Sequence, residues 1–266
     1  MLRSAARHHP EIPRWCYVGP DEVSEARALF GDLAEIITAP HAIAGIPAES
    51  QVFVPKLFAP TLPVDVIAYV DADAIFCRPA PELWDVEPGK VNVIKDGAPN
   101  VLESVPPPLR PQFAAVYADY CKLPCFNGGV WAMRTADFRD LPERYEEAIA
   151  KVRFDSYHPV LDQPVLNAMW QPNVKWLPIQ FNVNNLFDHS IPADARIVHF
   201  TGGKCKPWDD RYPRHEPQYY WWLRHGLNEQ NPMRLFAAKA RVWIITPKRL
   251  IGRQYRRWQE KQAAAR

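Results

Sequence analysis

Asp71-Ala-Asp73 is the carboxylate pair in this chain whose spacing suits a hard cation. Oxygens at i and i+2 let one carboxylate hold an ion directly while the other acts through water or from behind. Mg²⁺ and Mn²⁺ favour such donors when phosphate oxygens complete the coordination. The pattern by itself carries little information, because 16 aspartates in 266 residues give about one such pair by chance. Its setting carries more. The apolar run Val66-Ile-Ala-Tyr-Val70 comes directly before it, so the carboxylates follow a strand, and ligands of open α/β sheets collect beyond the carboxyl ends of strands. A nucleoside diphosphate held through a cation is the substrate chemistry this suggests. The chain contains no Gly-x-x-x-x-Gly-Lys-Ser/Thr loop and no Gly-x-Gly-x-x-Gly turn, which argues against P-loop and dinucleotide chemistry.

A second cluster lies at His199-Phe-Thr-Gly-Gly-Lys-Cys-Lys-Pro-Trp208. A neutral imidazole can complete a carboxylate metal site, Gly202 and Gly203 let backbone approach phosphate, and Lys206 brings positive charge. The five cysteines, Cys16, Cys77, Cys121, Cys125 and Cys205, are odd in number and scattered. They read as buried free thiols rather than a zinc site or a disulfide framework.

These residues need elements to position them. Trp15 to Val18 reads as a strand, Asp21 to Phe30 as a helix, Glu35 to Thr38 as a strand, and Gln51 to Leu62 as a short helix despite Pro55. Asp65 to Val70 reads as a strand buried on both faces and Val91 to Ile94 as another. This alternation predicts an α/β fold with a mostly parallel sheet flanked by helices. Pro106-Pro107-Pro108 and Pro111 predict a long irregular loop. Gly128 to Met133 then reads as a strand, Pro142 to Val152 and Asp162 to Trp170 as helices, and Arg196 to Phe200 as a late strand.

Charge divides the chain. Residues 241–266 hold eight Lys or Arg against one Glu, whereas the 240 residues before them hold 24 basic against 29 acidic groups. The expected organisation is a catalytic domain over 1–240 and a basic tail over 241–266. A mildly acidic body does not suit nucleic acid. The tail suits an anionic membrane surface, because Ile251, Tyr255 and Trp258 share one face of a helix capped at Thr246. No apolar run approaches the roughly 20 residues of a membrane span, and Pro10 arrives before any apolar leader segment. The expected location is therefore the cytoplasm, peripheral to the membrane.

Taken in order, these motifs resemble the retaining glycosyltransferases of family 8, which include glycogenin and lipopolysaccharide galactosyl- and glucosyltransferases. The resemblance rests on Pro55-Lys56-Leu57, Tyr69-Val-Asp-Ala-Asp-Ala74, Phe126-Asn-Gly-Gly-Val130, Asp162-Gln163-Pro-Val-Leu-Asn167, Leu177-Pro178 with Phe181-Asn182, and His199-Phe-Thr-Gly with Lys206-Pro-Trp208. It covers about residues 10 to 210.

The resemblance implies a GT-A fold, a UDP-sugar donor, and Mn²⁺ or Mg²⁺ at positions matched by Asp71, Asp73 and His199. Lys56 and Lys206 match basic residues facing the diphosphate, with Gly202 beside them; the turn from His199 is one residue longer than the family's, which makes Lys204 the alternative to Lys206. Asn127, Asp162 and Gln163 match residues around the transferred sugar, Gln163 nearest the anomeric carbon, and Asp96 matches a further sugar-side carboxylate. The acceptor implied is a glycan or glycolipid hydroxyl. Family members commonly open with a strand contacting uracil and ribose, whereas here Met1 falls inside the helix that follows it. Two other readings stay open at this point: a metal-dependent nucleotidyltransferase, and a noncatalytic sugar-nucleotide binding protein.

Overall fold

The computed structural model describes residues 1–38, 46, 53–152, 162–184, 192–201, 206–211 and 217–237. The first third of the chain runs α1 (Leu2–His8), β1 (Trp15–Val18), α2 (Val23–Phe30), β2 (Glu35–Thr38), β3 (Val66–Val70), β4 (Ala74–Phe76) and β5 (Val91–Lys95). It continues with α3 (Val101–Ser104), α4 (Arg110–Tyr117), β6 (Phe126–Arg134), α5 (Leu141–Val152), α6 (Asp162–Trp170), β7 (Val174–Leu177), β8 (Val183–Asn184), β9 (Ile197–His199) and α7 (Pro217–Trp221). No helix among the described residues is long and apolar enough to cross a membrane.

The strands form three sheets, ordered β1-β2, β3-β6-β5-β7 and β4-β9-β8. Strand β6 is the spine of the second. From Phe126 to Met133 it is buried, and the two-residue period of a strand sends successive side chains to opposite faces. Trp131 and Met133 enter one core with Phe113, Tyr145 and Trp170; Val130 and Ala132 enter another with Phe76, Leu83 and Ile94. Helices α4, α5 and α6 cover the first core through Phe113, Tyr145, Ile149 and Leu166.

The α/β reading holds, and the predicted strands and most helices lie where the pattern places them. Four features differ. Strand pairing is mixed: β6 runs antiparallel to β3 and β5, β4 runs antiparallel to β9, and β1-β2, β5-β7 and β8-β9 are parallel. Strand β3 ends its sheet, with Ile67 buried and its other four residues half-buried, instead of being buried on both faces. The helix expected from Gln51 is a 3₁₀ helix over Pro55–Thr61, with Pro60 inside it. The proline-rich loop is partly helical, Pro107–Leu109 forming a 3₁₀ turn that leads into α4. Pro111 sits in the first turn of α4, where an N–H has no intrahelical acceptor to lose.

Candidate active site

The turn between β3 and β4 carries both aspartates. Asp71 N–H still donates to Gly129 O of β6 at 2.8 Å, and Ala74 N–H closes the turn on Asp71 O at 3.1 Å. Strand β4 then pairs with β9 so that Ala74 lies opposite His199. Residues 126 positions apart are thereby brought together: His199 Nε2 lies 2.9 Å from Asp73 Oδ1 and 3.4 Å from Asp71 Oδ2. One ligand atom from each of the three lies within 4.8 Å of the others.

Buried and half-buried groups hold this arrangement. Asn182, fully buried, donates Nδ2 to Asn127 Oδ1 at 2.8 Å. Its Oδ1 is left to meet His199 Nδ1 at 3.2 Å, which turns Nε2 toward the carboxylates, as in many metal sites where a second partner fixes the imidazole. Tyr69 donates its hydroxyl to Asp71 and stacks on Trp131 with ring centroids 5.2 Å apart. Gly129 supplies the space. A Cβ there would lie 2.2 Å from His199 Cε1 and 2.3 Å from Asp71 Oδ2, so an alanine cannot fit without moving the cluster.

Electrostatics follow the geometry. Burial would raise the Asp71 carboxyl, but the hydrogen bond to His199, the Lys56 charge and the Tyr69 hydroxyl outweigh it and hold the group at about 2. Burial likewise opposes the shift at Asp73, where His199 and Lys206 win and lower it. For His199 burial disfavours the charged ring, yet the two carboxylates raise its pKa. Lys206 Nζ reaches Asp73 Oδ2 at 2.6 Å and also donates to Phe200 O.

A cleft of about 580 Å³ opens over these groups, lined also by Lys56, Asp96, Asn127, Asp162 and Gln163. Lys56 and Asp162 form a buried ion pair. The Gln163 carboxamide is fixed at both ends: Oε1 accepts from Gly128 N–H at 3.0 Å and Asn127 Nδ2 at 3.3 Å, while Nε2 donates to Asp96 Oδ2 at 3.1 Å. Asp96 also accepts from Asn127 Nδ2 at 3.2 Å.

The structure thus gathers Lys56, Asp71, Asp73, Asp96, Asn127, Asp162, Gln163 and His199 along one cleft, with Lys206 against Asp73. Gly202, Gly203 and Lys204 lie outside the described residues, as does the tail 241–266. The supporting roles of Tyr69, Asn182 and Gly129 were not assigned from sequence, although all three fall inside the ordered motifs. Of the cysteines, Cys77, Cys121 and Cys125 are buried free thiols and Cys16 is half-buried. Burial pushes Cys77 and Cys125 up to about 12. Cys205 lies outside the described residues.

Comparison with known proteins gives the same picture. The model of glycosyl transferase family 8 matches residues 50–211, more than half of the chain. No curated protein matches by sequence. Among solved structures, galactosyltransferase LgtC in complex with donor and acceptor sugar analogs superposes with a TM-score of 0.58 at 16% identity, covering 89% of this chain and 93% of that one. GlyE of Streptococcus pneumoniae TIGR4 gives 0.53 at 16%, covering 84% of this chain and 56% of that one. The bifunctional glycosyltransferase WbbM gives 0.50 at 17%, covering 77% and 39%. At such identities the likeness establishes the fold, which is GT-A.

Proposed function

Because the chain belongs to glycosyl transferase family 8, we propose that it is a retaining hexosyltransferase that moves sugar from a UDP-sugar to a hydroxyl of a glycan or glycolipid. The observation that carries this reading is the approach of Asp71, Asp73 and His199 within 4.8 Å at the edge of a cleft large enough for a ligand. Two carboxylates and an imidazole fit Mn²⁺ or Mg²⁺. When bound, such an ion supplies charge neutralisation at the diphosphate leaving group.

The chain's own residues do the rest. Lys56 and Lys206, each beside a carboxylate of the site, are assigned to the diphosphate, where fixed cations favour the charge that develops as the glycosidic C–O bond loosens. Gly202 is assigned to the backbone beside the phosphates. Asn127, Asp162 and Gln163 hold the sugar. A carboxamide is a poor nucleophile, and Asp162 is engaged by Lys56 while Asp96 is engaged by Gln163 and Asn127. Double displacement through a glycosyl-enzyme is therefore disfavoured. In the route that remains, the acceptor oxygen bonds to the anomeric carbon on the face the diphosphate leaves, and its proton passes to a donor phosphate oxygen.

The basic segment 241–266 is assigned to an anionic membrane surface, which places the enzyme at the cytoplasmic face beside a lipid-linked acceptor. The test of the activity is a panel of UDP-sugars with Mn²⁺, scored for UDP and for transferred sugar. The reading expects UDP release that Asp71→Asn lowers by about 10²- to 10³-fold. Pyrophosphate as the product would assign a nucleotidyltransferase instead.

A further inference from the structure

The two ends of the cleft differ in how their charges are matched. At the cation end each carboxylate has a basic partner, His199 lying against Asp71 and Asp73 and Lys206 against Asp73. The other end is built where β5 stops at Lys95. The chain leaves that strand through Asp96, Gly97, Ala98 and Pro99 and enters α3, whose first turn holds Glu103. Asp96, Pro99 and Glu103 all line the cleft.

Here the match fails. Among the described residues lining this end, the carboxylates are Asp96, Glu103 and Asp162, and the one ammonium is Lys56. Lys56 is committed to Asp162 in a buried ion pair. Asp96 is held by neutral donors instead: Asn127 Nδ2 at 3.2 Å, Gln163 Nε2 at 3.1 Å and Ala98 N–H at 3.2 Å. Glu103 Oε1 accepts from Asn100 Nδ2 at 3.2 Å. Arg110, which does not line the cleft, donates to the backbone carbonyls of Glu103 at 3.2 Å and Val105 at 3.0 Å. Hydrogen bonds from amides stabilise a carboxylate without cancelling its charge, so the end of the cleft beyond Gln163 is net negative.

A carboxylate accepts hydrogen bonds and offers none. Sugar hydroxyls can donate to Asp96 and Glu103, whereas a sugar that itself carries a carboxylate cannot donate from it. Such a sugar is also repelled without touching either residue, because Coulomb repulsion between like charges needs no contact. Phe53 and Pro99, which line the same end, bring no positive charge to answer it.

We propose that this end of the cleft selects an uncharged hexose and rejects a uronic acid, with Glu103 as a specificity-determining residue acting together with Asp96. The inference rests on the UDP-sugar reading, in which Asn127, Asp162 and Gln163 hold the sugar beside Asp96. Discrimination has two sources: the hexose gains hydrogen bonds to the carboxylates, and the exocyclic carboxylate of the uronic acid meets like charge. A hexose and its uronic acid differ only at that exocyclic group, so the pair isolates the charge.

Calorimetric titration in excess Mn²⁺ tests it with UDP, UDP-glucose, UDP-galactose, UDP-glucuronate and UDP-galacturonate as probes. UDP should bind, and each uronate should bind at least about tenfold more weakly than the hexose of the same configuration. Glu103→Gln should narrow that ratio by at least about threefold, and Glu103→Lys should narrow it further. The ratio is the readout, so a variant that weakens all donors alike does not imitate the effect. Uronates that bind at least as tightly as the matching hexoses, while UDP binds, overturn the inference and leave the donor reading standing. A ratio that neither variant moves overturns the assignment to Glu103. Absence of UDP binding overturns the donor reading and the inference together.

Discussion

The cleft and a groove of about 500 Å³ lined by α1, β1 and β3 share Lys56 in their walls, yet they are built in opposite ways. In the cleft, polar side chains answer one another in a connected chain from Asp73 through His199, Asn182, Asn127 and Gln163 to Asp96. In the groove most side chains are apolar, Trp15, Val66, Ala68 and Val70 among them, with His9, Arg14 and Lys56 at its polar margin. The cleft therefore depends on residue identity, and the groove on the burial of apolar surface. Substitutions in the first should act chiefly on binding and turnover, whereas changes around the second should act on stability alone.

The largest effect expected after loss of a metal ligand is at Gln163. Gln163→Ala removes the carboxamide from the cleft and leaves Asp96 and Asn127 paired with each other, so kcat should fall by about 10²-fold with donor KM changed less; steady-state kinetics would show the split. Intact turnover would remove Gln163 from the sugar site. Next, Gly129→Ala places a methyl group against His199 and Asp71, and metal affinity should weaken about 10- to 100-fold, as when groups supporting a ligand are disturbed. Unchanged affinity in a Mn²⁺ titration would show that the cluster adapts and is not preorganised.

Acid should separate the two regions. Helix α1, one wall of the groove, is tied to the π-helical turn Trp222–Gly226 by Arg7 Nη1, which donates to His225 O at 2.9 Å. Burial lowers the His225 pKa to about 4, with Arg224, His8, Arg7 and Arg78 adding to the shift. A histidine with a depressed folded pKa contributes stability that is present above its ordinary value of 6.5 and is lost as pH falls through about 4. Asp71, held at about 2, contributes stability present above its ordinary value of 3.8 and lost only as pH falls through about 2. Urea midpoints should thus decline between pH 6.5 and 4 from the groove side, and His225→Gln should make that decline shallower. An unaltered slope would remove His225 from the account. The smallest effect expected is from Tyr17→Phe. Its hydroxyl donates to Phe58 O at 3.2 Å, so unfolding free energy should drop by about 1 kcal/mol while turnover is unchanged.

Much of this architecture was legible in the sequence because local pattern decides it. The run Val66 to Val70 reads as a strand from composition, and Asp162 to Trp170 as a helix from its period. The α4 segment was not legible, because a proline run looks the same whether it breaks a helix or opens one. The candidate ligands could be named because they stand in motifs of recognised order. Their support could not. Gly129 matters through a contact with His199, 70 positions away, and Asn182 through a hydrogen bond that exists only once β8 and β9 pair. The mixed sheet was missed for the same reason, since a strand's own residues do not state which direction its neighbour runs.

The central claim is that Asp71, Asp73 and His199 form one divalent-cation site, and calorimetric titration of Mn²⁺ tests it most directly. The native chain should bind one ion, with Asp71→Asn and His199→Gln each weakening binding by at least about tenfold while retaining the native circular dichroism spectrum. Equal affinity in the native chain and both variants would contradict the assignment.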